Sequence, residues 1–200
     1  MKYGKKLFPL VGIIAGMSLT SKAALADNSA HYLGLSYVSG VVDIWDWHED
    51  NLYMQEESGG IPIGISYRYA KLFDSGLRLD AGVGPVVLIV GDVEYHDIPV
   101  QLSVGYSFSQ TSDFRPYARL GASLHNNNGD YVKDKAGVGV VGAIGFEYGN
   151  PGSPCFFMEA SYDSAEATLS TNQSNQYFTR RFSQEDIAVS DFQLTLGVRF

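Results

Sequence analysis

Hydrophobic and polar residues alternate with a period of two along most of the chain after residue 26. The clearest stretches are residues 77–84, 98–108 and 192–200, where Leu, Val, Ile, Tyr or Phe occupies almost every second position. This period is typical of β-strands whose two faces meet different environments. The pattern predicts eight strands, at His31–Val41, Ile61–Ala70, Leu77–Leu88, Tyr95–Phe108, Arg115–His125, Gly137–Tyr148, Phe156–Ser164 and Ile187–Phe200.

The connections between these predicted strands differ in length. Short connections lie at Lys71–Gly76, Ser109–Phe114 and Gly149–Cys155, and long ones at 42–60, 126–136 and 165–186, with a brief exception at 89–94. Alternating short and long connections fit an up-and-down barrel with one plain rim and one elaborate rim. Because the strand count is even, both ends of the chain would lie at the plain, periplasmic rim.

The composition of the two strand faces indicates which face meets lipid. The polar positions hold mostly Gly, Ser and a few charged residues, whereas the other positions form a continuous series of Leu, Val, Ile, Tyr and Phe. Small residues suit the lumen of a narrow barrel, and a broad apolar face suits hydrocarbon. Backbone groups in hydrocarbon need partners within the protein, so the sheet must close on itself. We therefore predict an all-β fold, an eight-stranded antiparallel up-and-down transmembrane β-barrel.

The first 26 residues have the layout of a secretory signal peptide. Lys2, Lys5 and Lys6 precede an apolar run from Leu7 to Leu19, and the small-x-small triplet at 24–26 follows. The run is too short for a spanning helix, which needs ~20 apolar residues. We predict a signal peptide at 1–26 and a barrel domain at 27–200.

Charge and cysteine content exclude several function classes. The chain has 14 basic and 22 acidic residues, a net charge of −8, which argues against a nucleic-acid partner. Its single cysteine excludes an internal disulfide framework and a zinc site built on several thiolates. No Gly-rich phosphate loop occurs, and the sequence indicates no cofactor and no metal.

Together, the signal peptide, the alternating strands and the terminal Phe200, preceded by apolar residues at alternate positions, resemble bacterial outer-membrane β-barrels. The resemblance covers nearly all of 27–200 and is strongest for the small eight-stranded class of OmpA, OmpX and NspA. It implies export to the outer membrane of a Gram-negative bacterium, with lipid and lipopolysaccharide as neighbours. In that family the last strand is the signal for the barrel-assembly machinery. The resemblance assigns that role to Phe200, with Val198 and Leu196 in support.

Eight charged residues fall on the polar, lumen-facing positions. An eight-stranded barrel is just wide enough for its own side chains, and buried charges persist only when paired. We interpret the set as a salt-bridge network that fills the lumen, with a narrow ion path as the alternative. The residues are Arg68, Arg78, Asp80, Arg119, Glu147, Glu159, Asp163 and Arg199.

The first long connection is a candidate ligand loop, because it combines both tryptophans of the chain with an excess of acidic residues. It would be solvated at the cell surface and could recognise a host or phage surface ligand. Its spacing does not match a calcium-binding loop. The candidate residues are Trp45, Asp46, Trp47, Glu49 and Asp50.

An enzyme that modifies lipid A is a further alternative. Ser123 and His125 share one strand face, with Asp130 close in sequence. Their order is opposite to the His-x-Ser arrangement of the lipid A 3-O-deacylase family, and they face the lumen in the predicted barrel. The favoured prediction is a surface protein with a structural or interaction role. A porin-like channel and a lipid A-modifying enzyme remain as alternatives.

Overall fold

The computed structural model describes residues 28–51, 63–89, 95–129, 131–133, 136–171, 184–188 and 192–200. The predicted signal peptide and its boundary lie outside these residues. The described elements are β1 Ser29–Val38, α1 Gly40–Asn51, β2 Ile63–Leu72, β3 Leu77–Ile89, β4 Tyr95–Asp97, β5 Val100–Ser107, β6 Phe114–Gly129, β7 Ala136–Tyr148, β8 Cys155–Asp163, β9 Glu166–Ser170, β10 Gln184–Ala188 and β11 Phe192–Arg199.

The strands form a closed antiparallel barrel of eight positions, as predicted. The first strand closes the ring by pairing with the last, from Tyr32 opposite Arg199 to Val38 opposite Gln193. Strands β4 and β5 together occupy one position, since β3 and β6 each pair with both. Pro99 lies in the gap between them, and proline has no N–H to donate to a strand ladder.

The two rims of the barrel differ, also as predicted. At one rim, which we call the turn rim, short turns join β2 to β3, β5 to β6 and β7 to β8. Gly76 and Gly149 have positive φ angles in two of these turns, which a residue without a Cβ adopts at low cost. The chain end lies here too, because His31 and Phe200 exchange both backbone hydrogen bonds at 2.8 Å.

The outer wall of the barrel is apolar and its interior is polar. Leu102, Leu120 and Val138 expose 64%, 64% and 75% of their surface on the outer wall. Arg78, His125 and Asp163 are completely buried on the inner wall. A soluble protein has the opposite distribution, with apolar side chains inside and polar side chains outside. The apolar face that the sequence predicted to meet lipid is therefore the exposed face of the barrel. None of the described helical segments has the length and hydrophobicity to cross a membrane as a helix.

The opposite rim, the cap rim, is folded where the sequence predicted long loops. Residues 40–51 form α1, and β9 pairs with β10 in a separate two-stranded sheet, which begins in the predicted loop 165–186 and ends two residues beyond it. We call α1, β9 and β10 the cap. The last barrel strand therefore begins at Phe192 rather than Ile187, and β6 continues to Gly129 rather than ending at His125. The buried positions of α1 include Ile44, Trp47, His48 and Asn51. These positions are three or four residues apart, as on one face of a helix. The acidic residues between them obscured this period in the sequence.

Replacing Leu120 with arginine tests which face meets lipid. Leu120→Arg should lower the free energy of unfolding from a bilayer by ~2–4 kcal/mol, because it places a charge in hydrocarbon near mid-depth. Asn126→Arg, on the same outer face of β6 but beyond the last outward leucine, should cost at most about 1 kcal/mol. Reversible urea unfolding in phospholipid vesicles measures both values. Equal costs at the two positions would contradict the assignment.

Candidate functional site

The centre of the lumen is organised around the Glu159 carboxylate. Arg119 donates to it from Nη2 at 2.8 Å and from Nε at 3.1 Å. Arg68 donates through Nη1, and the Tyr117 hydroxyl donates at 2.9 Å. These groups come from β2, β6 and β8, so a single buried carboxylate joins three strands across the lumen.

A second carboxylate, Asp80, pairs with arginines at the neighbouring level. Arg78, two residues away on the same inward face of β3, binds both its oxygens, with Nε–Oδ2 at 2.9 Å and Nη2–Oδ1 at 2.7 Å. The Nε of Arg68 lies 3.3 Å from Oδ1 of Asp80. Arg68 thus connects the Glu159 and Asp80 groups, and such bidentate pairs fix the planes of the guanidinium groups.

A third carboxylate, Glu147, lies near the turn rim. It accepts a hydrogen bond from the Tyr32 hydroxyl at 2.5 Å and one from Arg115 Nε at 3.0 Å. The Arg199 Nε lies 3.4 Å away. Arg115 also donates to the carbonyl oxygens of Ser112 and Gly149 and to Cys155 Sγ, at 2.8, 2.6 and 3.1 Å. This group ties the turns to the barrel wall. The three carboxylates and Arg68, Arg78, Arg115, Arg119 and Arg199 form what we call the arginine network.

Aromatic rings fill the space between these ion pairs. The Arg68 guanidinium carbon lies 4.5 Å from the Tyr32 ring centroid, and that of Arg78 lies 4.1 Å from the Tyr117 centroid. Both are cation–π distances. A cavity of about 30 Å³ remains beside Arg68, Arg119 and Glu159. That space holds only a few water molecules. The lumen is therefore a packed polar core in the described part of the barrel.

A separate group lies above the arginine network, toward the cap rim. His125 is held between two carboxylates, with Nδ1 at 2.6 Å from Asp97 Oδ2 and Nε2 at 3.2 Å from Asp163 Oδ2. Asp163, predicted as a member of the salt-bridge network of the lumen, pairs with His125 and not with an arginine in the described residues. We call Asp97, Ser123, His125 and Asp163 the carboxylate–histidine cluster. Gln101 links the two groups, accepting from Arg119 at 3.3 Å and donating to Asp163 at 3.4 Å.

The candidate nucleophile Ser123 and the candidate base His125 do not pair directly with each other. The Ser123 hydroxyl donates to Asp163 Oδ1 at 2.7 Å, and both ring nitrogens of His125 contact carboxylates. A serine nucleophile needs a general base within hydrogen-bonding reach of its hydroxyl. Here the Asp163 carboxylate lies between Ser123 and His125, and both residues are buried. Asp130 lies outside the described residues.

The described part of the candidate ligand loop, residues 42–51, belongs to α1, and its tryptophans point into the protein. Trp45 and Trp47 are 9% and 4% exposed and belong to the hydrophobic core of the cap. The prediction that both tryptophans lie in a solvated loop is wrong. Trp47 falls on the same helical face as Ile44, His48 and Asn51, and Trp45 flanks that face and packs into the same core. That core also contains Val38, Ile44, Tyr95, Tyr131, Val132, Ala165, Ala167, Leu169 and Ile187.

The acidic residues of the same segment lie on the outer face of the helix. Asp46, Glu49 and Asp50 are exposed, and Glu49 accepts a hydrogen bond from Trp45 Nε1 at 2.7 Å. Ligand binding by these residues remains a prediction.

In the hydrophobic core beneath the helix, burial raises the pKa of the Tyr95 phenol well above its ordinary value, and the Asp97 carboxylate raises it further. The hydroxyl of Tyr95 donates to Asn127 Oδ1 at 3.0 Å.

The proposed assembly residues lie along the closing strand. Leu196 and Val198 project outward, 45% and 48% exposed, and the Phe200 ring stacks on His31 with centroids 5.7 Å apart. Their role in assembly remains a prediction.

Sequence reasoning left three lumen residues, Arg115, His125 and Asp97, out of the predicted charge network, although it did place His125 in the lumen. Arg115 has the same inward parity as Arg119 in the alternating pattern of β6, so the sequence contained the signal for it. His125 has that parity too, but its two carboxylate partners come from β4 and β8. No comparable sequence signal marked Asp97, because its contact with His125 depends on how β4 pairs with β6.

Comparison with known proteins identifies the fold. No protein-family profile and no curated protein sequence matches the chain. Solved structures do match, and three of them each align to 86% of the chain. They are the outer membrane protein OprG from Pseudomonas aeruginosa (12% identity, 93% of that chain, TM-score 0.56), Neisserial surface protein A, NspA (13%, 96%, 0.52), and the outer membrane protein AlkL in lipid bilayers (16%, 88%, 0.51). The chain therefore has the fold of the small eight-stranded outer-membrane barrels, as the sequence predicted.

A double-mutant cycle tests the centre of the arginine network. Glu159→Met should lower the free energy of unfolding by about 3–5 kcal/mol, because it leaves Arg68 and Arg119 buried without their carboxylate. Adding Arg119→Met should recover part of that loss, since one uncompensated charge is removed. Urea unfolding of the variants measures the coupling, with Ser161→Ala on the same inward face as an uncharged control. Strictly additive losses would argue against a shared network.

Proposed function

We propose that the protein is an integral outer-membrane barrel with a closed lumen, which presents a folded cap at the cell surface in a structural or interaction role. The likeness in fold to outer-membrane barrels and the apolar outer wall support this location. The predicted signal peptide supports export. Outer-membrane lipid, lipopolysaccharide and the barrel-assembly machinery are the partners that this location implies.

The observation that carries the proposal is the packing of the lumen. Ion conduction needs a continuous aqueous path, and the arginine network leaves a cavity of about 30 Å³ beside Glu159. Above it, the carboxylate–histidine cluster and the hydrophobic core of the cap cover the barrel. The arginine network, the carboxylate–histidine cluster and the hydrophobic core of the cap thus follow one another from the lumen to the cap rim. This arrangement favours a surface role over the passage of solutes through the lumen.

The asymmetry of the rims supports an orientation. Outer-membrane barrels have short periplasmic turns and longer external segments. By this rule the turn rim faces the periplasm and the cap faces outward. Asp46, Asp50, Glu185 and Asp186 are exposed on α1 and β10, which contact one another in the cap. A ligand of this surface, on a host cell or a phage, would present complementary basic groups.

Planar bilayer recording tests the closed lumen. The purified wild-type protein should produce no discrete conductance steps, because its lumen is filled by paired charges and aromatic rings. A triple variant with Arg68, Arg119 and Glu159 all replaced by alanine is the comparison, provided that it keeps the heat-modifiable gel mobility of a folded barrel. Reproducible steps from the wild-type protein would contradict the proposal.

Cysteine labelling of whole cells tests the orientation. In a Cys155→Ser background, Asp46→Cys should react with a membrane-impermeant maleimide on intact cells, because α1 lies in the external cap. Asp113→Cys, exposed in a turn at the opposite rim, should react only after the outer membrane is permeabilised. The reverse pattern would show that the barrel is inverted.

A further inference from the structure

The contacts of His125 require two protons on its ring. Nδ1 lies 2.6 Å from Asp97 Oδ2, and Nε2 lies 3.2 Å from Asp163 Oδ2. An ionised carboxylate only accepts hydrogen bonds, whereas a neutral imidazole has a single N–H to donate. The ring is completely buried, so water does not take the place of either contact. Only the imidazolium cation satisfies both carboxylates.

The two carboxylates depend on His125 to different extents. Asp163 also accepts hydrogen bonds from the Ser123 hydroxyl at 2.7 Å and from the Ala165 N–H at 3.2 Å. Asp97 is 1% exposed, and its Oδ1 has no hydrogen-bond partner among the described residues. In the same part of the chain, His125 is the one basic group that contacts Asp97. A buried carboxylate that loses its cation is strongly destabilised, so Asp97 relies on the charge of His125.

Asp97 lies on the strand that joins the cluster to the hydrophobic core of the cap. β4 has three residues, and Tyr95 at its other end is buried in that core. With three register pairs on each side, β4 is held in the barrel wall by few backbone hydrogen bonds. Ala165, which donates to Asp163, belongs to the same core. A change of charge in the cluster therefore reaches the cap from two directions.

The cluster lies at the cap-side edge of the apolar wall. Leu124 is the last outward leucine of β6, and the outward positions that follow it, Asn126 and Asn128, are exposed amides. On β8 the last outward aromatic residue is Tyr162, and the next outward position is the exposed Ser164. His125 thus lies beyond the belt that meets hydrocarbon, where protons exchange with the aqueous phase.

We propose that His125 is a proton-dependent latch that holds the cap closed over the barrel. While the ring carries two protons, it neutralises Asp97 and keeps β4 in the wall with Tyr95 in the core of the cap. Loss of one proton at alkaline pH turns a nitrogen lone pair toward a carboxylate and leaves Asp97 without its cation. β4 and the core of the cap then loosen together. This latch operates in either orientation of the barrel in the membrane.

The groups that face His125 set the pH at which the latch releases. Burial lowers the pKa of His125, but the hydrogen bonds and charges of Asp163 and Asp97 outweigh burial and raise it to about 9. Since this lies above the ordinary value of 6.5, the contact stabilises the cap fully below that value and loses its contribution as the pH rises through about 9. The uncharged groups around the ring are Gln101 of β5, Ser123 and Asn127 of β6, and Gly137 and Gly139 of β7.

Nitrogen-15 NMR of the histidine rings tests the protonation state in the intact protein in detergent micelles. Single substitution of each of the other three histidines assigns the His125 signals without altering the latch. Both ring nitrogens of His125 should be protonated at neutral pH, and one should lose its proton as the pH rises through about 9. A ring that is neutral at neutral pH, or that keeps both protons throughout the titration, would overturn the inference.

Tryptophan accessibility reports the state of the cap, because Trp45 and Trp47 are the two tryptophans of the chain and both lie in its core. The constant for quenching by acrylamide should rise about twofold or more as His125 loses its proton, because the core opens locally. Accessibility is measured rather than intensity, since the His48 ring contacts Trp47. Heat-modifiable gel mobility should show that the barrel itself stays folded.

Two substitutions on β4 separate the latch from other effects of pH. An amide at position 97 can donate to a neutral His125 ring, so Asp97→Asn should keep the cap closed and remove the rise in quenching. His96→Gln, at the adjacent position outside the cluster, should retain the wild-type rise. Quenching that rises equally in wild type and Asp97→Asn, or that does not rise in wild type, would overturn the latch.

Discussion

The hydrogen-bonded pairing of β1 with β11 is the constraint on which the rest of the structure depends. A strand in hydrocarbon cannot leave its backbone N–H and C=O groups without partners, because no water is available to bind them. Pairing from Tyr32 opposite Arg199 to Val38 opposite Gln193 removes the two free edges of the sheet. Once the ring is closed, successive side chains must point alternately to the lumen and to the surroundings. The apolar wall and the polar interior are therefore two consequences of one closure.

A closed ring of eight strands has little interior space, and this sets the chemistry of the lumen. Arginine and carboxylate groups removed from bulk water require partners, and each carboxylate of the arginine network contacts more than one arginine. Tyr32 and Tyr117 contribute both hydroxyl donors and ring faces to the same groups. The network thus satisfies buried charges and fills volume together. This is why a lumen rich in charges is consistent with a closed barrel, and why the cap and outer wall are the surfaces left for interactions.

The fold was predictable from the sequence because strand parity determines which side of a closed barrel each residue faces. The same parity brought Arg68, Arg78, Arg119 and Glu159 to the lumen. Parity could not assign the partner of each lumen residue. Asp163, for example, contacts His125 because of the way several strand pairings combine around the ring. The helix at 40–51 escaped prediction because its buried positions, Ile44, Trp47, His48 and Asn51, are interspersed with exposed acidic residues, so composition suggested a solvated loop. Pro99 lies at the break between β4 and β5, where the apolar alternation predicted one continuous strand, Tyr95–Phe108.

The central claim is that parity along each strand separates lipid from lumen, and spin labelling of β6 in a phospholipid bilayer tests it most directly. Nitroxide side chains are introduced singly at positions 118, 119, 120, 122, 123 and 124. Gly121 is left unchanged, because a Cβ there would collide with the backbone of β5. Collision rates of the labels with dissolved oxygen, which concentrates in hydrocarbon, are measured. The account predicts high rates at 118, 120, 122 and 124 and low rates at 119 and 123. Uniform rates, or an alternation of the opposite phase, would contradict it.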